Sequence, residues 1–386
     1  MTRYLCALGD VTDIGTWSGT PFFMLEAGKA SGFLDGGLKL DVASTQDGRT
    51  LWNIGQLMMT GKFGGHQYSK RFLDRLFDTG PSLPHDAEII SFFPLLPPPD
   101  RHAGPFSLYI DATLKQNFED YGIGRRVAAS FQAEVFTRER AQYQRADRII
   151  TMSRWAARSV VGDYGIDAAK VHVCVPGANL PETTGSPGTD RPDRQRLVLG
   201  FIGADWRRKR LDFIDDIAVE MNRRGIDCGV LAIGPRTSVA QRFRHVRSIG
   251  FIDKATDQKR FSDAIGQFSF GCLISDAEAL GISLLECLRL GVPVIGRDRG
   301  GIPDVVPENA GIILPSEFTI TEACDRIATA WQQSTYQAYR SEARAIAGQT
   351  TWAAALKRIE RIWDGDTAYC CGGGTGSRQE STKICR

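Results

Sequence analysis

The chain has 386 residues, 42% of them hydrophobic and 24% charged, which exceeds what one hydrophobic core usually fills and predicts two ordinary globular domains of roughly 150–200 residues. No run reaches the roughly 18–20 apolar residues that span a bilayer, and MTRYLCALGD lacks a secretory leader, so the expected location is cytoplasmic. The net charge of +2 says little about partners; the local runs RRKR (207–210) and QRFRHVR (241–247) are more informative, because each can face an anion.

The apolar opening RYLCALGD reads as a strand, followed by the turn-rich TDIGTWSGTP and a helix from about Thr20 to Ser31. LKLDVA (38–43), AEIISFF (87–93), FSLYID (106–111) and DRIITMS (147–153) read as further short strands. Nearly all-apolar strands of this kind suit a parallel sheet covered on both faces. A helix around Phe131 to Arg145 precedes DRIITMS, and another from Arg154 to about Asp163 precedes KVHVCVPG.

PETTGSPGTDRPDRQ (181–195) has no periodicity and reads as an interdomain linker. A second α/β series follows: RLVLGFIG (196–203), a helix from about Lys209 to Arg224, CGVLAIG (228–234), FGCLI (270–274), a helix from Ile282 to Leu290, VPVIG (292–296) and GIILP (311–315). A final helical pattern runs from about Tyr339 to Trp363. The expected organisation is a domain over 1–180, the linker, a second domain over 196–345, a terminal helix over 346–366 crossing back to the first domain, and a disordered tail over 367–386. The tail holds Cys370, Cys371 and Cys385 without zinc-ligand spacing. Cys6, Cys174, Cys228, Cys272 and Cys287 lie in apolar patterns, where small buried thiols are common.

In open α/β sheets, ligands bind outside the carboxyl ends of the strands. Four loops fall there. GTWSGTP (15–21) has glycines that permit a close backbone approach and a helix N-terminus behind them, but no Gly-x-Gly-x-x-Gly pattern; a tight turn and a ligand loop both remain open. FIGADWRRKR (201–210) places Arg207, Arg208, Lys209 and Arg210 in what reads as the first turn of a helix, against the dipole. A bound phosphate would resolve that conflict; a solvated basic face is the plain alternative.

The third loop, SDAEALG, leads into ISLLECLRL. Glu278 sits in the loop and Glu286 about one turn into the helix, between apolar neighbours, where a carboxylate needs a partner. Ribose hydroxyls are one such partner; an exposed helix edge for Glu286 and a capping role for Glu278 are the alternative. GRDRGGIPDVV (296–306) follows the next strand and could wall the same pocket. The five histidines, His66, His85, His102, His172 and His245, show no metal-ligand spacing, no Gly-x-Ser-x-Gly elbow is present, and aromatics do not interleave with a basic stripe, which argues against a metal site, a serine hydrolase and nucleic-acid binding.

EALGISLLE, continuing through CLRLGVPVIGRDRGGIPDVV, together with FIGADWRRK and RADRIITMSRWAARSVVGDYGIDAAKVHVCVPGANL (145–180), resembles the retaining glycosyltransferases of family 4. The resemblance covers most of residues 3–365. It implies the α/β GT-B fold, two Rossmann-like domains facing each other across a deep interdomain cleft, and transfer of a hexose with retention from a nucleoside diphosphate sugar, UDP or GDP most readily, to a glycan, lipid-linked or other glycoconjugate acceptor. No cofactor and no metal are implied. By the same resemblance, Glu278, Lys209 and Asp111 stand at the reaction centre. Glu286, Arg207, Arg208, Gly19, Thr20, Gly281, Ile282 and Ser283 bind the donor, with Glu286 on the ribose. Ala204 stands where the family commonly has an arginine, which leaves Arg207 or Arg208 to supply that charge. A GT-B epimerase or phosphorylase, and a catalytically silent sugar-nucleotide-binding module, are the alternatives. Peripheral contact with the inner membrane face through basic patches stays open, as does oligomeric state.

Overall fold

Two series of short apolar strands each build their own parallel sheet in the computed structural model, which describes residues 1–43, 48–84, 86–184, 196–332 and 334–365. His85, most of the 181–195 segment and the 367–386 tail with its three cysteines lie outside the described residues. The described chain divides into two compact units, the first from Met1 to Val175 and again from Leu356, the second from Pro176 to Ala355.

In the first unit, β1 (Arg3–Cys6), β2 (Gly36–Gly37), β3 (Glu88–Ser91), β4 (Phe106–Ile110), β5 (Arg148–Thr151) and β6 (Val171–Val173) form one sheet in the order β2-β1-β3-β4-β5-β6. All its pairings are parallel. Every residue of β3 and β4 is buried, as expected of strands covered on both faces. The helices are α1 (Thr20–Ser31), α2 (Arg49–Thr60), α3 (Lys70–Asp78), α4 (Leu114–Asp120), α5 (Ala129–Arg145) and α6 (Arg154–Gly162). Local signals start several of them: Ser69 and Ser153 accept backbone amides at the heads of α3 and α6, and Thr113 with Gln116 forms a capping box on α4.

The strand expected over 38–43 does not form. Pairing is confined to Gly36 and Gly37 against Tyr4 and Leu5; beyond them the Leu38 carbonyl takes the Val11 amide and Lys39 bridges antiparallel to Asp10, turning the chain off the sheet edge. Leu38 and Leu40 are both 1% exposed, so the alternation in the sequence reports core packing rather than sheet pairing.

In the second unit, β7 (Leu197–Ile202), β8 (Cys228–Ile233), β9 (Val246–Ser248), β10 (Phe270–Leu273), β11 (Val294–Arg297) and β12 (Gly311–Leu314) pair in parallel in the order β12-β11-β10-β7-β8-β9. Its helices are α7 (Leu211–Arg223), α8 (Thr237–Ala240), α9 (Gln258–Ile265), α10 (Ile282–Arg289), α11 (Ile302–Val305), α12 (Ile320–Gln332) and α13 (Ser334–Ile346). The six cysteines among the described residues are free and buried; burial pushes the Cys6 thiol up to about 12.

The final helical pattern is two helices. A 3-10 turn, Ala347–Thr350, separates α13 from α14 (Trp352–Trp363). The break is fixed where the Thr350 carbonyl accepts the Ala178 amide and the Trp352 indole donates to Asn179 at 3.1 Å. From Leu356 onward, α14 belongs to the first unit. There Trp363 Nε1 donates to both oxygens of Glu88 at 3.0 and 3.1 Å. Glu88 also accepts from Arg3 Nε at 2.8 Å and from Ser107 at 3.1 Å, and the Arg3 and Arg148 guanidiniums lie 5.4 and 5.0 Å from the Trp363 ring centroid. A carboxylate whose side chain is 4% exposed is thus neutralised and hydrogen-bonded on both oxygens.

Each sheet reverses its strand order at one place. The chain leaves β1 for β2 on one side and returns through β3 on the other; it leaves β7 for β8 on one side and returns through β10 on the other. Flanking connections diverge at such points and leave a crevice at the carboxyl ends of the two strands.

Candidate functional site

The reversal between β7 and β10 gathers most of the residues singled out in the second half of the sequence. After β7, the turn 203–210 precedes α7, so the four cations lie ahead of the helix rather than in its first turn. Arg210 caps it in the left-handed region at φ +55°, and the first turn carries Asp212. The expected conflict with the helix dipole is therefore absent. Arg210 is held by Asp212 and, at 3.1 Å, by Asp276 Oδ1, and these paired contacts sustain its strained backbone.

Arg208 and Lys209 point at the loop after β10. Arg208 Nη1 donates to the Ala277 carbonyl and to Glu278 Oε2 at 3.2 Å. Lys209 Nζ donates to the Ile202 carbonyl at 3.2 Å and lies 3.9 Å from the same Glu278 oxygen. The lysine stem lies across Gly203, where an added Cβ would fall 2.6 Å from Lys209 Cδ; a side chain there would displace the ammonium from the strand end. Glu278 Oε2 also takes the Ser275 hydroxyl at 3.3 Å. Arg207 is not part of this group: it is exposed and stacks over Trp206, 4.4 Å from the ring centroid. Of the two cations considered as a substitute for the arginine absent at Ala204, Arg208 is the one beside Glu278.

The loop after β11 holds the Glu278 loop in place. Arg297 Nη1 reaches Asp276 Oδ1 at 3.0 Å, Arg299 Nε the Asp276 carbonyl at 2.9 Å, and the Gly301 amide the Ala279 carbonyl at 3.1 Å. Gly300 has φ +55°, and a Cβ on it would stand 1.7 Å from the Glu278 carbonyl oxygen. Only glycine lets the two loops approach this closely.

Gly281, Ile282 and Ser283 form the start of α10, which has no side-chain cap, so its first amides are free of intrahelical acceptors and carry the positive end of the helix dipole. The Ser283 hydroxyl is buried and makes no hydrogen bond among the described residues. One turn on, Glu286 is 1% exposed, which excludes the exposed-edge alternative. Its carboxylate pairs with the Lys254 ammonium. Burial raises the Glu286 carboxyl above its ordinary value, while Lys254 and, from farther away, Lys209 pull it back. Lys254 sits in the loop between β9 and α9, 4.9 Å from the Phe261 ring centroid. It escapes sequence reasoning because it is a single lysine in GFIDKATD, 32 residues from its partner, with no spacing to flag it.

In the first unit, Gly19 and Thr20 lie at the β1–β3 reversal. Trp17 and Ser18 both have positive φ, +48° and +59°, an uncommon and costly geometry for two successive non-glycine residues. The Trp17 indole donates to the Leu8 carbonyl, and its ring meets Phe92 and Phe93 edge-on at 6.4 and 6.5 Å, pinning the loop against the end of β3. Asp111 is half-buried directly after β4. With β3 lying between β1 and β4, the two strand ends are about 10 Å apart. Beneath the start of α4, Glu139 accepts the Leu114 amide at 2.8 Å, the Tyr143 hydroxyl at 2.7 Å and the Tyr164 hydroxyl. Burial pushes its carboxyl up to about 7.

Among the described residues, no group of three or more His, Cys, Asp or Glu side chains is placed to hold a metal ion, and no helix is long and apolar enough to cross a membrane.

Residues 196–332 match the family model described as glycosyl transferases group 1. An alpha-D-kanosaminyltransferase of Streptomyces kanamyceticus is 26% identical over 138 residues, 34% of this chain and 36% of that protein. A D-inositol 3-phosphate glycosyltransferase of Nocardia farcinica is 27% identical over 184 residues, 43% of this chain and 40% of that protein. The chain thus spans well under half the length of these two relatives. HepE of Anabaena, solved in complex with UDP-glucose, aligns with a TM-score of 0.62 over 95% of this chain and 100% of its own at 13% identity.

Proposed function

We propose that this chain, whose two doubly wound units are those of the GT-B fold, transfers a hexose from a nucleoside diphosphate sugar to a glycan or glycoconjugate acceptor, with retention of anomeric configuration. The carrying observation is the meeting of Arg208, Lys209 and Glu278 at the carboxyl ends of β7 and β10, where the strand order reverses. The family match over 196–332 spans the same residues, and a UDP-glucose complex of a protein of this fold supports the choice of donor class.

In this reading Glu286, paired with Lys254, accepts the ribose hydroxyls. Lys209, Arg208 and the first amides of α10, with the Ser283 hydroxyl beside them, receive the diphosphate. As the bond from the anomeric carbon to the phosphate oxygen breaks, negative charge grows on the leaving diphosphate, and these fixed cations and dipoles stabilise it there more than in the ground state. The acceptor oxygen bonds to the same face of the anomeric carbon, and its proton passes to the departing phosphate oxygen. Glu278 lies against the sugar, where cationic character develops. Asp111 serves the sugar or acceptor, and the Gly19–Thr20 loop serves the diphosphate and acceptor.

Calorimetric titration with UDP, GDP and ADP tests the donor site, and a donor panel read by mass spectrometry tests transfer. Binding to at least one nucleotide, lost in Glu286→Ala, is expected; folded protein that binds none of them refutes the reading. NMR of the product linkage tests retention, and an inverted anomeric centre refutes that part alone.

A further inference from the structure

Eight large apolar side chains are exposed among the described residues, and six of them, Leu51, Ile54, Leu57, Met58, Met59 and Phe63, fall on α2 and the turn after it. Leu51, Met58 and Met59 are 77%, 83% and 74% exposed. Leu51, Ile54 and Met58 follow the i, i+3, i+7 spacing of one helix face, with Leu57 and Met59 on either side. The helix rests on its unit through the opposite face: the Trp52 ring meets Phe131 and His66 at 5.2 and 5.9 Å, and Asn53 is buried. An amphipathic helix normally turns its apolar stripe to the core; α2 turns it outward.

The charge that this segment itself carries has one sign. From Gly48 to Leu73 the sequence contains no acidic residue. Arg49, Lys62 and Arg71 are exposed, and Lys62 Nζ donates to the Arg125 carbonyl at 3.2 Å, which sets the exposed Arg125 and Arg126 beside the end of the helix. A second copy docked face to face would set cations against cations, whereas an anionic lipid surface complements both the apolar residues and the charge.

We infer that α2 and the Lys62–Phe63 turn seat the protein on an anionic lipid surface. The apolar face enters the boundary between headgroups and acyl chains, and the flanking cations meet lipid phosphates. The inference is independent of the donor-site reading, since none of these residues belongs to that site.

Co-sedimentation of the full chain with vesicles of phosphatidylcholine alone, or with one third phosphatidylglycerol, tests it. The chain is expected to bind the anionic vesicles and to be released from them by high salt. The double substitution Leu51→Asp with Met58→Asp is expected to weaken binding by at least about tenfold. Both positions are exposed, so melting temperature and nucleotide affinity stay at the parent values. Arg125→Gln with Arg126→Gln provides a second probe that leaves α2 untouched and is expected to lower the anionic preference. Failure of the parent chain to bind anionic vesicles overturns the inference, as does equal binding by the Asp double variant. A concentration-dependent dimer that this variant abolishes, in a chain indifferent to vesicles, overturns it in favour of self-association. Nucleotide titration on the same samples separates these outcomes from failure of the donor site.

Discussion

Replacing Lys254 by methionine should make stability fall with rising pH more steeply than it does in the parent chain. Glu286 is 1% exposed, and its one close cation among the described residues is Lys254. Methionine keeps most of the stem and removes the ammonium, with its contact to the Phe261 ring. If the carboxylate stayed ionised, an unpaired buried charge would cost about 3–5 kcal/mol. If it took up a proton instead, the cost would be about 1.4 kcal/mol for each pH unit above the ordinary 4.5 it has in the unfolded chain. The cheaper route applies at each pH. Burial already raises the folded carboxyl above its ordinary 4.5, so its contribution is fullest below that value and declines as pH rises through the folded pKa. Removing Lys254 extends the decline upward. The variant should nearly match the parent at about pH 5 and fall behind by about 3 kcal/mol at about pH 8, the distant Lys209 holding the loss near the lower bound. Urea unfolding of both proteins across that range measures the difference. A gap that stays constant with pH, or remains below about 1 kcal/mol at about pH 8, refutes the assignment of Lys254 as the cation that pulls the Glu286 carboxyl back down.

Gly300→Ala should drive a Cβ into the Glu278 carbonyl and displace the loop, lowering the turnover of the proposed sugar transfer by about 100-fold while nucleotide affinity changes less, as displacement of reacting groups by about 1 Å does; unchanged turnover would show that the loop relaxes freely. Glu139 has its carboxyl raised from 4.5 to about 7, so the parent chain should lose on the order of 3 kcal/mol between those two pH values, and Glu139→Gln should flatten that slope in thermal melts. Trp363→Phe keeps the ring among Arg3 and Arg148 but deletes the donor to Glu88; chemical denaturation should show a loss of about 1–2 kcal/mol, and a loss near zero would mean that Arg3 and Ser107 satisfy the carboxylate alone.

The buried parallel strands are legible as apolar runs because both their faces meet helices, which is why RIIT, LVLGFI and CGVLAI stand out. LKLDVA misleads for a related reason: Leu38 and Leu40 are buried against the core without pairing in a sheet. α2 passes unread because its apolar residues face outward, where no rule of core formation places them, and β9 because none of its three residues is fully buried. The cation run at 207–210 draws notice for a conflict that does not exist, since one left-handed residue, Arg210, moves the helix start beyond it. Within the second unit, Glu278, Glu286 and Lys209 are visible as residue types out of place beside glycines and apolar neighbours. Lys254, Asp276 and Arg297 are not, because each acts through a contact between separate loops that no local pattern encodes.

Glu88 and Trp363 stand 275 residues apart in the chain, which sets an order of events during synthesis. At roughly 5–20 residues per second, the indole emerges about 15–55 s after the strand that holds the carboxylate. Throughout that interval the first sheet can form but its Glu88 has, among the described residues, Arg3, Arg148 and Ser107 as partners and not the indole, and the second unit is translated before the last helix is complete. The first domain to leave the ribosome is therefore the last to be finished, and a ribosome that stalls within residues 196–355 releases a chain whose earlier half lacks a piece of its own core.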